Sequence, residues 1–79
     1  MKIEFYGRLA ERLGRKIEVS APDCPIAELR RLLAELRPEA AADLLRPGVR
    51  ACVDDVLVPD HHVVRAGQSI AFLPPVSGG

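Results

Sequence analysis

Ile26, Leu29, Leu33 and Leu36 recur at helical spacing, and this apolar stripe is what most constrains the fold. An amphipathic helix of that kind must bury its stripe against another element. The rest of the chain supplies one, because it alternates. Residues 2–6 set Ile3 and Phe5 on one face and Lys2, Glu4 and Tyr6 on the other. Residues 16–20 bury Ile17 and Val19, and residues 49–54 bring Val49, Ala51 and Val53 together. Residues 69–73 repeat the pattern, with Ile70 and Phe72 opposite Ala71 and Leu73. Period-2 alternation marks strands with one buried face. With 79 residues there is room for a single core. The expected fold is α+β, with one main helix and short accessory helices on one face of a mixed four- to five-stranded sheet.

The connections are marked as clearly. Residues 8–13 read as a short helix, with Leu9 above Leu13 at i,i+4 and Gly14 as its stop. Asp23 or Cys24 is expected at the cap of the main helix, with Pro25 in its first turn. Glu28, Arg30, Arg31 and Glu35 are expected off the buried stripe. Pro38 opens a second short helix that ends at Pro47 and Gly48. A turn at Asp54 and Asp55 leads to an extended piece at residues 56–58, and residues 59–67 read as mostly connection. The order is ββαβββ, without internal repeats.

Composition narrows the function classes. Apolar residues make up 48% and charged residues 28% of the chain, and the formal net charge is zero. Arginines alternate with glutamates rather than gathering into a basic run, so a nucleic-acid partner is not expected. No apolar stretch approaches the roughly 20 residues needed to span a bilayer, and residues 1–6 are unlike a signal peptide. Cys24 and Cys52 are too far apart for a CxxC motif. A cytoplasmic, reducing setting is expected. The core, lacking tryptophan, has to come from Leu, Val, Ile and Ala, which leaves little room for a private catalytic cleft.

The remaining signal is the tail. After the last strand come Pro74, Pro75, Val76, Ser77, Gly78 and Gly79. Prolines have no N–H, so they end the sheet pairing and form a stiff extended stem. Glycines have no side chain and fit a tunnel too narrow for other residues. The expected division is a domain at residues 1–73 and an extended, flexible tail at residues 74–79. A terminal Gly-Gly can also be an idle frayed end; its place directly after a core strand of a ββαβββ chain favours a functional carboxylate at Gly79.

These residues carry a resemblance over the full length. Ile3-Glu4-Phe5-Tyr6-Gly7, the turn at residues 9–14, the helix at residues 26–36, Val53-Asp54-Asp55, and above all residues 70–79 resemble the small subunits of molybdopterin synthase. Those belong to the ubiquitin-like β-grasp sulfur carriers. Thiamine-pathway carriers also end in Gly-Gly but usually lack the Pro-Pro stem. The chain departs from the pattern at Asp54, where many members carry Asn, and at Gly67-Gln68-Ser69, where Gly-Asp-Glu is common.

The resemblance implies a β-grasp fold and a sulfur carrier for molybdenum cofactor biosynthesis, without a complete active site of its own. It implies that an E1-like enzyme adenylates Gly79 with ATP, that a persulfide donor supplies sulfur, and that the large synthase subunit receives the resulting thiocarboxylate. Pro74, Pro75, Val76, Ser77 and Gly78 would enter the partner. No cofactor or metal is implied on this chain itself. Alternation points Tyr6 and Leu73 away from the helix. The resemblance implies that the first and last strands are neighbours in the sheet, so the two should form an exposed apolar patch, a partner surface at the base of the tail. A ubiquitin-like modifier or a thiamine-pathway carrier would use the same Gly79 carboxylate. A β-grasp interaction module with an idle tail is a further alternative.

Other reactive residues read as structural. Cys24 and Cys52 are expected to be packing thiols. His61 and His62, adjacent in extended chain, face opposite ways and cannot readily clamp one metal. Asp54 and Asp55 form a turn rather than an acid–base pair.

Overall fold

In the computed structural model, which describes residues 1–75, the order is β1 (Lys2–Phe5), α1 (Arg8–Leu13), β2 (Lys16–Glu18), β3 (Cys24–Pro25) and α2 (Ile26–Leu36). A 3-10 turn (Pro38–Ala40) and α3 (Ala41–Leu44) follow, then β4 (Arg50–Val53), β5 (Val56–Val58), β6 (Val63–Val64) and β7 (Ser69–Leu73). Val76, Ser77, Gly78 and Gly79, including the expected reactive carboxylate, lie outside the described residues.

Five strands form one mixed sheet in the order β2-β1-β7-β4-β5. The first and last strands pair in parallel at its centre, with Ile3 beside Ile70 and Phe5 beside Phe72. All four side chains are buried, and the two phenyl rings stack at 6.0 Å between centroids. The expected alternation is therefore realised on both strands. Ile26, Leu29 and Leu33 of α2 are fully buried with them. Val49, just before β4, and Ala51 and Val53 of β4 are buried on the same face.

Asp54 and Asp55 close the β4–β5 hairpin with positive φ at both positions. That loop geometry matches the twist of paired strands, and short Asp side chains tolerate it better than most. The Asp54 carboxylate accepts hydrogen bonds from Ser69 N (3.2 Å) and Gln68 Nε2 (3.4 Å). The two departures from the resembled pattern are thus in contact with each other.

Three expectations need correction. Cys24 and Pro25 do not open the helix inside its first turn; they form β3, paired antiparallel with Val64 and Val63, and Pro25 is the cap. Residues 59–67 are mostly connection, as expected, with the two-residue strand β6 set within them. Leu36 is exposed, whereas Arg30 is buried at 7% exposure. Arg30 follows Ile26 at i+4 and so shares its face.

Candidate functional site

The base of the tail is where the sheet centre, two loops and the proline stem meet. β7 delivers Leu73, then Pro74 and Pro75, both half-buried. Gly7, which leads into α1, flanks Pro74, and Gly48, in the turn before β4, flanks Pro75. Gly7 has φ 62°, a left-handed value that disfavours any side chain. It lets β1 turn directly into α1, whose first turn is closed by Ala10 N donating to Gly7 O (3.0 Å).

Arg30 adjoins this junction through Val49 and Phe72. Its Nη1 donates to the carbonyl of Leu44 (3.0 Å) and its Nη2 to the carbonyl of Val49. Nε and Nη2 both reach Asp60 Oδ1, at 3.2 and 3.1 Å. The guanidinium also sits over the Phe72 ring, 5.2 Å from its centroid. A planar fork with five donors can serve two carbonyls and a carboxylate at once, which an ammonium cannot. One side chain therefore ties α2, the end of α3, the start of β4, the loop at Asp60 and the last strand together.

The opposite face of the sheet is open. Register places Lys16, Glu4, Ala71, Cys52 and Leu57 in one row across the five strands, with Leu73 and Arg50 paired in the adjacent row. Tyr6, just beyond β1, is 47% exposed and Leu73 is half-buried. Tyr6 Oη donates to Glu4 Oε2 (3.0 Å), and that bond together with the carboxylate charge raises the phenol pKa above its ordinary value. At neutral pH Tyr6 is thus a neutral donor.

Cys24 is buried, and desolvation, followed by the nearby charges of Glu28 and Asp23, pushes its thiol pKa up. A reactive thiol needs the reverse. Cys52 is half-buried on the open face of β4. His61 and His62 sit in the loop before β6, where His62 O accepts from Ile26 N. Among the described residues no group of His, Cys, Asp and Glu could hold a metal ion, and no helix is long and apolar enough to cross a membrane.

Gly7, Gly48 and Arg30 escaped sequence reasoning as parts of the site. Only Arg30 left a usable signal, its i+4 spacing from Ile26.

Four similarities to known proteins bear on this architecture. The sequence profile of the ThiS family matches residues 3–79. The molybdopterin synthase sulfur carrier subunit of Escherichia coli strain K12 is 32% identical over 80 aligned residues, covering 100% of this chain and 99% of that protein. SAMP1 from Haloferax volcanii superposes with a TM-score of 0.83 at 22% identity, over 99% of this chain and 97% of that one. A chain in the complex of subunits 1 and 2 of the molybdopterin-converting factor from Helicobacter pylori 26695 gives 0.66 at 24% identity, over 99% and 96%. On the family profile and the full-length identity, the chain belongs to the ThiS family of sulfur carriers, built on the ubiquitin-like β-grasp fold.

Proposed function

We propose that this protein carries sulfur for molybdenum cofactor biosynthesis on the carboxylate of Gly79. The observation that supports this most is the full-length 32% identity to a molybdopterin synthase sulfur carrier subunit. An ionised carboxylate is a poor electrophile, so loading needs activation. In the proposed sequence, a Gly79 oxygen attacks the α-phosphorus of ATP on an E1-like enzyme, releasing pyrophosphate and leaving an acyl-adenylate. The terminal sulfur of a persulfide attacks the acyl carbon and AMP departs. A second thiol then cleaves the acyl disulfide, supplying the two electrons and leaving a thiocarboxylate. That softer nucleophile is delivered to a pterin precursor in the larger synthase subunit. Pro74, Pro75, Val76, Ser77 and Gly78 form the arm that enters the partner.

Intact-mass analysis after incubation with ATP, the activating enzyme and a persulfide donor tests this directly. The chain should gain the mass difference of sulfur for oxygen, located at Gly79. The Cys24→Ser/Cys52→Ser double variant should gain the same. A mass gain that vanishes with the cysteines, leaving Gly79 a plain carboxylate, overturns the proposal.

The open face around Tyr6 and Leu73 is proposed as the docking surface for the larger subunit. Leu73→Glu should weaken that association by several kcal/mol, because a buried unpaired charge is costly to desolvate. Leu73 is half-buried on the open face of the free protein rather than in the core, so the longer Glu side chain can carry its carboxylate to water and the melting temperature should change little. Calorimetric titration beside thermal melts separates the two effects. Unchanged affinity per folded molecule would rule this surface out.

The modifier reading uses the same carboxylate. Likeness to SAMP1, the small archaeal modifier protein 1 of Haloferax volcanii, at 22% identity reaches the fold alone, whereas the sequence identity above favours the carrier.

A further inference from the structure

We propose that Gly7 and Gly48 form a two-sided seat that grips Pro74 and Pro75 and so fixes where the tail leaves the domain. A Cβ placed on Gly7 would lie 2.8 Å from Pro74 Cγ and 3.2 Å from Pro74 Cβ. A Cβ on Gly48 would lie 2.8 Å from Pro75 Cβ and 3.0 Å from Pro75 Cγ. Each proline ring occupies the space that any other residue at 7 or 48 would fill.

Gly48 is the more telling of the two. Gly7 needs its glycine for backbone reasons, since φ is 62°. Gly48 does not. Its turn, around Pro47 and Gly48, is closed by Val49 N donating to Arg46 O (3.0 Å). A type II turn would require positive φ at Gly48, and Gly48 is not among the positive-φ residues. The local backbone therefore accepts any small residue, and what forbids one is Pro75, far along the chain.

The turn that carries Gly48 is braced by Arg30. Arg30 bonds the carbonyls of Leu44 and Val49, one on each side of that turn, while stacking on Phe72, two residues before Pro74. The Gly48 side of the seat and the strand that leads to the stem are thus tied to the same side chain. Four residues follow Pro75, and four extended residues reach at most about 14 Å. The depth to which Gly79 can enter another protein is therefore set by where Pro75 is held, not by where the sheet ends.

NMR on the full chain tests the seat. The wild type should show NOEs from Gly48 Hα to Pro75 Hβ and from Gly7 Hα to Pro74 Hγ. Gly48→Ala should lose the Pro75 NOE and lower the order parameter of the Val76 amide. Pro75→Gly should also lower it, and the Gly48→Ala/Pro75→Gly double variant should be no worse than Pro75→Gly alone, because the added Cβ then meets nothing. Missing NOEs in the wild type, or additive losses in the double variant, would overturn the proposal. The consequence for loading rests on the sulfur-carrier reading above: Gly48→Ala should lower kcat/KM for sulfur loading roughly 10- to 100-fold, since misplacement by about 1 Å can cost ~100-fold. Unaltered loading kinetics with the NOE lost would show that the grip does not guide the tail. If the wild type takes up no sulfur while the NOEs and the non-additive pattern hold, the seat stands and the carrier reading falls.

Discussion

A chain lengthened by one residue after Gly79 should take up no detectable sulfur and should melt at the temperature of the wild type. One added residue moves the carboxylate about 3.3–3.6 Å further along the chain. If misplacement by about 1 Å already costs ~100-fold in rate, a displacement of that size should take adenylation below detection. Folding should be indifferent, because the core side chains among the described residues end at Phe72. Intact-mass analysis and a thermal melt on the same sample read the two halves. If the extended chain acquires sulfur at its new terminus, the partner does not measure reach, and the proposed role of a fixed stem fails with it.

Arg30→Ala should be the most destabilising single side-chain truncation outside the apolar core. It leaves the carbonyls of Leu44 and Val49 without this donor and removes the cation from the face of Phe72. A buried group left unsatisfied costs about 1–3 kcal/mol, and the lost cation–π contact adds roughly 0.5–2 kcal/mol. With two carbonyls involved these contributions sum to about 2.5–8 kcal/mol, a large share of the roughly 5–10 kcal/mol available to a small domain. The melting temperature should fall by roughly 15 °C or more. Arg30→Lys should recover only part of this, since one ammonium cannot span both carbonyls and Asp60. Asp60→Asn should cost about 1 kcal/mol or less: Asp60 is half-exposed, and an amide oxygen still accepts. Differential scanning calorimetry decides. A melt within about 3 °C of wild type for Arg30→Ala would mean that the carbonyls find water and the clamp contributes little.

The misreadings have specific physical causes. Leu36 was expected inside and Arg30 outside because hydropathy ranks whole residue types. An arginine combines an apolar stem with a flat, multiply donating head, and it can be buried where unpaired carbonyls converge. Those carbonyls, at Leu44 and Val49, lie 14 and 19 residues away in sequence. Cys24 and Pro25 misled for a related reason. A proline beside a helical stripe carries the local signature of a helix start, whereas a two-residue strand has no period to detect. Its existence depends on Val63 and Val64 arriving from a distant loop.

What the sequence by itself determined is whatever repeats along the chain. The alternation of β1, β4 and β7, most of the α2 stripe and the hairpin at Asp54 and Asp55 are local patterns whose faces follow from backbone geometry. The Gly-Gly end and the proline stem are equally local. Tertiary structure alone decided what lies between segments distant in sequence. It buried Arg30 between the Leu44 and Val49 carbonyls and the Phe72 ring, and set Gly7 and Gly48 against Pro74 and Pro75. A glycine that is small because of a neighbour dozens of residues away carries no mark of it in its own surroundings: steric exclusion acts through space, and sequence patterns report only on what is adjacent.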